Sequence, residues 1–244
     1  MCRQNHLDKL YTGLIALKEK IGGFQFLKNP NLPKKCPSAG VYFFFDSSEL
    51  RDDGKTPRIV RVGTHAISGT SSSSLWSRLA QHRGSITSGG GNHRGSIFRK
   101  LVGISKIKME NLESVTTWGV KPSIGIVARD FELTPSEVSR RELPLELKVS
   151  DYIRNLPFLC LEINDPEEGR KQRAIIEKST IALLSNFQKP SIDSASKTWL
   201  GNYCDYGKNR KVIHSGLWNN DFVDQEYDPA FLGLFKILID KVKI

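Results

Sequence analysis

The chain has 244 residues, of which 39% are hydrophobic and 25% are charged, and its formal net charge is +10. This balance is typical of a globular protein and excludes a disordered or collagen-like chain. No apolar run is long enough to span a bilayer, and the first residues lack an apolar signal core, so neither a membrane segment nor export is expected.

Four cysteines are spread along the chain without forming a CxxC pair: Cys2, Cys36, Cys160 and Cys204. A zinc site needs paired ligands, so this spacing argues against one. Reduced thiols are the default for scattered cysteines, and they predict a cytoplasmic protein.

The first half of the chain predicts a helix followed by a β-hairpin. Residues 7–21 have helical spacing and end at two glycines. The segments 40–46 (GVYFFFD) and 58–64 (RIVRVGT) are β-branched and aromatic, as in strands. Asp53-Gly54 between them has turn chemistry, so the two strands are expected to pair as a hairpin.

The second half alternates predicted helices and strands. A helix over 75–84 (LWSRLAQHRG), capped by one of Ser72 to Ser74, is followed by a flexible glycine-rich loop over 84–96. A strand is predicted in 121–132, and a helix with a capping box in 133–143. A strand over 157–163 is followed by a helix that begins near Pro166 and runs to 186. The chain then has an irregular stretch over 190–228 and ends with an amphipathic helix in 228–242.

Positive charge is concentrated in one interval that contains no acidic residue, between Asp53 and Glu110. Its basic residues equal the whole net charge of the chain: Lys55, Arg58, Arg61, Arg78, Arg83, Arg94, Arg99, Lys100, Lys106 and Lys108. A solvated basic face is the ordinary interpretation of a charge run. A one-sign interval this long favours a polyanionic partner, and nucleic acid is preferred to a membrane because no amphipathic basic helix accompanies it.

The helix over 75–84 has two polar side chains beside its apolar stripe. At 100° per residue, Arg78 and His82 fall on one flank of Leu75. Taken alone, they are best explained as an arginine and a histidine tolerated at the edge of a core. The same geometry suits the wall of a cleft, in which the arginine binds a phosphate and the histidine shares a proton.

Two further polar side chains have both an ordinary and a functional explanation. Glu177 shares the face of its helix with apolar residues, so it should be paired or ligate a cation. Arg173, one turn earlier, could pair with it, and the two explanations have equal weight. Tyr42 in GVYFFF is either an aromatic of the sheet or a phenol that points from the sheet into a cleft.

Two short motifs imitate other sites. Gly54-Lys55-Thr56 resembles the end of a P-loop, but Glu49 stands where the first glycine is needed, so a hairpin turn explains it better. Asp130 with 146-ELK-148 imitates a metal-nuclease pattern, and it is kept as a weak rival site.

Together these segments resemble the GIY-YIG nuclease family over residues 38–205. Residues 40–42 (GVY) and 61–63 (RVG) match its two signature strands, the helix over 75–84 matches its arginine helix, and Glu177 matches its acidic residue on a later helix. The resemblance implies an α+β fold, with a small three-stranded antiparallel sheet flanked by helices and with insertions. It predicts one domain over 1–244, with a helical extension over 1–37 and a second extension over 206–244.

The resemblance also implies a role for each matching residue. Tyr42 would be the general base or would position the attacking water, and His82 would assist its proton transfer. Arg78 would bind the scissile phosphate, and Glu177 would bind one divalent cation, Mg²⁺ or Mn²⁺.

The chain departs from the family pattern at two places. Arg61 stands where the second signature has tyrosine, and an arginine can contact phosphate but cannot act as a base. The late asparagine of the family has no clean match, and Asn186, Asn202 and Asp193 are open candidates.

The predicted function is a metal-dependent endonuclease acting on double-stranded DNA, of the restriction type, with a homodimer as one way to cut both strands. Its predicted DNA contacts are Arg83, His93, Arg94, Arg99 and Lys100. The alternative is a catalytically inactive nucleic-acid-binding protein on the same scaffold, which only the Arg61 substitution supports.

Overall fold

The computed structural model describes residues 2–65, 73–112, 115–120 and 122–242. Its helices and strands are, in chain order, α1 (Arg3–Lys20), β1 (Gln25–Phe26), α2 (Leu32–Lys35), β2 (Gly40–Leu50), β3 (Pro57–Gly63), α3 (Leu75–Arg83), α4 (Ile97–Glu110), α5 (Ile124–Asp130), α6 (Pro135–Asn155), β4 (Pro157–Glu162), α7 (Gly169–Leu184), α8 (Lys211–Ser215) and α9 (Phe231–Asp240). Short 3₁₀ turns lie at His93–Gly95 and Leu200–Tyr203. The predicted α+β class is confirmed.

The sheet is antiparallel, with strand order β1-β4-β2-β3. Its last three strands are the predicted three-stranded sheet, and β1 adds only two residues at the far edge. Tyr42 on the central strand β2 is level with Gly63 on β3 and with Cys160 on β4. This register places the tyrosine beside the end of β3, where the functional site lies.

The predicted hairpin between β2 and β3 is also confirmed. Its turn is closed by Asp53, whose carboxylate accepts the backbone N–H groups of Lys55 and Thr56, both at 2.8 Å. Gly54 adopts φ +68°, a conformation that glycine reaches without steric cost. The GKT segment therefore forms a turn.

Apolar side chains cover both faces of the sheet, because alternate residues of a strand point to opposite sides. One face packs Val41, Phe43 and Val62 against α1, α7 and α9. The other packs Tyr42, Phe44 and Phe158 against α3, α4 and α6. The N-terminal and C-terminal helices thus contribute directly to the core on one face.

Two elements differ from their predictions. The strand predicted in 121–132 is wrong: residues 124–130 form the helix α5, because Val127 and Ala128 pack on Val138 of α6. The helix predicted in 133–143 begins at its capping box as expected but continues through Pro144 to Asn155. Buried residues after the proline, such as Val149, keep the second half of α6 on the sheet.

None of the helices in the described part of the chain is both long and apolar enough to cross a membrane.

Candidate active site

A buried tyrosine and histidine form the centre of the candidate site. Tyr42 Oη lies 2.8 Å from His82 Nε2, and the two side chains are 1% and 0% exposed. Burial first, and then the charges of Arg61, Arg78 and Arg99, hold the pKa of His82 well below its usual value. His82 is therefore a neutral imidazole, next to the phenol with which the resemblance pairs it.

The other ring nitrogen of His82 also has a partner. Its Nδ1 lies 2.8 Å from the hydroxyl of Ser96, which is 1% exposed and precedes α4. The same oxygen accepts the backbone N–H of Arg99 and so caps this helix. Sequence patterns did not identify Ser96, because an N-cap serine has no feature that marks a second contact.

Gly63, the glycine of the RVG segment, faces the phenol of Tyr42. A Cβ atom at this position would lie 2.2 Å from Tyr42 Oη, well inside contact distance. Because Gly63 has no side chain, the phenol of Tyr42 can pack against the end of β3.

Gly63→Ala is expected to destabilise the fold by about 1–3 kcal/mol, because the added methyl group must displace the Tyr42 ring or β3. Urea unfolding measures the effect. The control is Gly233→Ala, where the added methyl meets no atom within 4 Å. Equal stability of the two variants would contradict the close packing at Gly63.

The side chain of Arg61 is buried inside the protein, next to the candidate site. It is 5% exposed, it donates to the carbonyl of Trp218, and its guanidinium lies 4.8 Å from the centre of the Phe98 ring. Its charge acts on His82 and on Glu177. This position makes Arg61 a source of buried positive charge for the site.

Glu177 reaches the end of β3 from α7, on the opposite side of the sheet from α3. Its Oε1 accepts the backbone N–H of Thr64 at 3.1 Å. Burial raises its pKa to about 7, although Arg61, the Thr64 hydrogen bond and Arg78 act in the opposite direction. Arg173 does not pair with it and donates instead to the carbonyl of Ile163 at 3.1 Å. The geometry therefore favours a ligand-binding role for this carboxylate over an internal ion pair.

An open cleft of about 280 Å³ lies between α3 and α7 at the end of β3. Its walls carry Thr64, His65, Ser73, Ser77, Arg78, Gln81 and Glu177. The half-buried guanidinium of Arg78 donates to the exposed side chain of Gln81 at 3.1 Å. Arg78 and Glu177 thus place one cation and one carboxylate in the same opening, and the buried Tyr42–His82 pair lies behind its wall, where Tyr42 meets Gly63, the residue before Thr64.

His65 is a cleft residue that the sequence patterns missed. It is 7% exposed, and its Nδ1 has no hydrogen-bond partner among the described residues. Burial, and then the charge of Arg173, lower its pKa to about 4. A neutral imidazole with an unused buried nitrogen is therefore present in the opening that contains Glu177.

Three of the five predicted DNA contacts bind carboxylates of α6. Arg99 is 0% exposed and binds Glu146, Ser150 and the carbonyl of His82. His93 is 1% exposed and also binds Glu146, at 3.0 Å. Arg94 forms a bidentate pair with Glu142 at 2.6 and 2.7 Å. These side chains hold the end of the 84–96 loop and the start of α4 on α6, where carboxylates compensate the charges of Arg94 and Arg99.

The other two predicted DNA contacts are partly exposed. The guanidinium of Arg83 lies 4.6 Å from the ring centre of Trp76, and Lys100 Nζ lies 4.7 Å from that of Tyr206. Both cations therefore remain available at the surface.

The rival motif is not assembled as a site. Glu146 is buried and is used by Arg99 and His93. Lys148 pairs with Glu110, and Asp130 pairs with the neighbouring Arg129. Each member of the pattern has its own partner, so the structure gives them structural roles.

Glu146→Ala is expected to destabilise the protein by about 3–5 kcal/mol, because it leaves the buried Arg99 without its carboxylate. The control is Lys148→Ala on the same helix, which breaks a surface pair and should cost at most about 1 kcal/mol. Chemical unfolding of both variants measures the difference. A small effect at Glu146 would show that the charge of Arg99 is compensated elsewhere.

The candidates for a late asparagine all have structural contacts. Asn186 binds Ile192 and Arg3, Asn202 donates to the carbonyl of Ser196, and Asp193 pairs with Arg51. Asn219, which was not among them, lies closest to the signature strand. Its amide accepts the N–H of Val62 at 3.1 Å and donates to the Val62 carbonyl at 2.9 Å.

The fold is of the α+β class, and its cleft contains an arginine and a glutamate, with a buried tyrosine–histidine pair behind its wall. The family model described as the GIY-YIG domain matches residues 1–244, and the chain therefore belongs to this family of nucleases. No curated protein and no solved structure matches the chain.

Proposed function

We propose that this protein is a divalent-metal-dependent endonuclease that hydrolyses phosphodiester bonds of double-stranded DNA, with the sequence specificity of a restriction enzyme. The observation that carries the proposal is the cleft that contains Arg78 and Glu177, with the buried Tyr42–His82 pair behind its wall at Gly63. Hydrolysis of a phosphodiester needs a base for water and cationic groups for the extra negative charge of the transition state. The cleft contains a cationic group, Arg78, and the proposed base, Tyr42, lies behind its wall.

A divalent cation fits the donor atoms of this cleft. Glu177 has a carboxylate that Arg173 leaves unpaired, and His65 has an unused Nδ1 in the same opening. Among the described residues, no cluster of three or more His, Cys, Asp or Glu side chains could enclose a metal ion. Glu177, with His65, would therefore hold Mg²⁺ or Mn²⁺ in an open site that leaves positions for water and phosphate. When bound, such a cation acts as a Lewis acid for phosphate oxygens.

The protein's own side chains divide the remaining tasks. Tyr42 acts as the base in its ionised form: once its own proton has left to solvent, the phenolate accepts a proton of the attacking water, and His82 assists through its hydrogen bond to Oη. Arg78 binds the scissile phosphate, since a guanidinium matches phosphate oxygens in pairs. Arg61 contributes positive charge from below the site, where the family pattern has a tyrosine.

The partners and cellular setting are part of the same proposal. Arg83 and Lys100 are the remaining proposed DNA contacts, and the basic interval attracts the duplex through its phosphates. Each chain carries one site, so cutting both strands requires a homodimer or two successive nicks. Such an enzyme would act on DNA in the cytoplasm.

Incubation of the purified protein with plasmid and genomic DNA, in Mg²⁺, Mn²⁺ or chelator, tests the proposal. Discrete fragments that require metal are expected, and a smear would argue against restriction-type specificity. Cleavage should be lost in Glu177→Ala. It should be retained in Glu167→Ala, because Glu167 is exposed and lies just before α7, the helix that carries Glu177. DNA binding without cutting under every metal condition would favour the inactive DNA-binding protein.

A further inference from the structure

Ser96 is the last member of a chain of buried hydrogen bonds that starts at Tyr42, the proposed base, and passes through His82. Its Oγ lies 2.8 Å from His82 Nδ1, and His82 Nε2 lies 2.8 Å from Tyr42 Oη. All three side chains are at most 1% exposed. We propose that Ser96 is a positioning residue of the nuclease site: its hydroxyl donates to Nδ1 and thereby fixes His82 as the tautomer whose Nε2–H donates to the Tyr42 oxygen.

The direction of the first hydrogen bond follows from the partners of the serine. Ser96 Oγ already accepts the N–H of Arg99, as the N-cap of α4. Its one proton then needs an acceptor, and among the described residues the other recorded partner of this oxygen is His82 Nδ1. If Nδ1 carried the ring proton, the serine proton would be buried without an acceptor, at a cost of about 1–3 kcal/mol. With the ring proton on Nε2, the phenol proton of Tyr42 needs an acceptor instead, and the proposed function supplies one in the water of the cleft.

The direction of the second hydrogen bond follows from the first. A neutral imidazole whose Nδ1 accepts carries its proton on Nε2, so it donates to Tyr42 Oη. Arg61, Arg78 and Arg99 surround this imidazole with positive charge and oppose its protonation. His82 is therefore a poor acceptor for the phenol proton, which must leave to solvent in the cleft, and a suitable donor to the phenolate oxygen that remains. The inference thus sharpens the role of His82 in the proposed function, on which it rests.

A second contact, from the Arg99 side chain to the backbone of His82, keeps the serine and the histidine together. Arg99, three residues after Ser96, donates through Nη1 to the carbonyl of His82 at 2.9 Å. The start of α4 is thereby tied to the last turn of α3 by side-chain and backbone contacts. Removal of the serine hydroxyl should change the tautomer and orientation of the ring while leaving this second tie in place.

Nitrogen NMR of protein labelled with ¹⁵N-histidine tests the tautomer without any enzymatic assay. The signals of His82 are assigned by their loss in His82→Gln. The wild type is expected to carry the proton on Nε2, and Ser96→Ala is expected to give a mixture of tautomers. A wild-type His82 with its proton on Nδ1 would overturn the inference, whether or not the protein cuts DNA.

Steady-state cleavage tests the consequence for catalysis. Ser96→Ala is expected to lower kcat by about 10-fold to 100-fold with little change in KM, because the proton-transfer pair loses its alignment. Ser96→Thr keeps a hydroxyl and a helix cap and should restore most of the activity and the Nε2–H tautomer. Thr134→Ala removes the N-cap of α6 and is the matched control for lost capping.

Two outcomes separate the inference from the function on which it rests. Equal kcat values for Ser96→Ala and Thr134→Ala, in a wild type that cuts DNA, would refute the positioning role alone. A wild type that cuts no DNA under any metal condition would refute the proposed function, and the NMR spectra would still decide the tautomer.

Discussion

Tyr42→Phe is expected to reduce DNA cleavage by about 10²-fold to 10⁴-fold, because it removes the group that accepts the proton of the attacking water. The phenyl ring remains between β2 and α3, so DNA binding should be retained. Cleavage of a labelled duplex under single-turnover conditions measures the chemical step directly. A binding assay in chelator measures affinity separately.

Tyr203→Phe is the matched control, because Tyr203 is 39% exposed and lies in the 3₁₀ turn Leu200–Tyr203. It should leave cleavage unchanged. Removal of the Tyr42 hydroxyl also deprives His82 of a buried partner, so a stability loss of about 1 kcal/mol should accompany the kinetic effect. Wild-type cleavage by Tyr42→Phe would exclude Tyr42 as the base.

Glu177→Gln is expected to abolish metal-dependent cleavage and, at the same time, to stabilise the metal-free protein at high pH. The pKa of Glu177 is raised from 4.5 to about 7 in the folded state. The folded protein therefore binds the proton more tightly than the unfolded chain, and stability falls as pH rises from about 4.5 to about 7. A neutral glutamine avoids this loss, so the variant gains on the order of 3 kcal/mol above the folded pKa.

Urea unfolding in chelator, at about pH 5 and about pH 8, measures this effect, which should be small at the lower pH and full at the higher. Glu167→Gln is the matched control, because Glu167 is exposed and its substitution should leave stability nearly unchanged at both values. If Glu177→Gln did not increase the free energy of unfolding at high pH, the carboxylate of Glu177 would be better solvated than its buried position indicates.

Strands β2, β3 and β4 could be predicted from local patterns, whereas β1 was not predicted and the strand predicted in 121–132 is a helix. β2 and β3 are aromatic and β-branched, and Asp53-Gly54 marks the turn between them. The pairing of Tyr42 with His82, 40 positions apart, required the family resemblance, because no local pattern brings a strand residue to a helix end.

The burial of the basic residues could not be predicted in the same way. Arg99 and Arg94 look like surface cations because their carboxylate partners lie 47 and 48 positions later, on α6. The start of α6 was predicted from Thr134, but its continuation past Pro144 depends on packing against the sheet. The charge pattern of the chain therefore did not show which cations pair with carboxylates inside the protein.

Ser96 and His65 were missed for a different reason. A serine before a helix and a histidine after a strand are common, and their meaning here comes only from the atoms beside them. The same is true of Asn219, whose contact with Val62 depends on the path of the irregular segment after α8.

The contacts of Asn219 and its neighbour also determine how two copies of the chain could associate. β3 lies at the end of the sheet, where unpaired backbone groups normally invite a strand from another molecule. Asn219 occupies both backbone groups of Val62, and the N–H of Trp218 occupies the carbonyl of Val60 at 2.7 Å. The chain's own segment thus occupies this edge at Val60 and Val62, so a dimer that joins two sheets edge to edge through β3 would have to break these bonds.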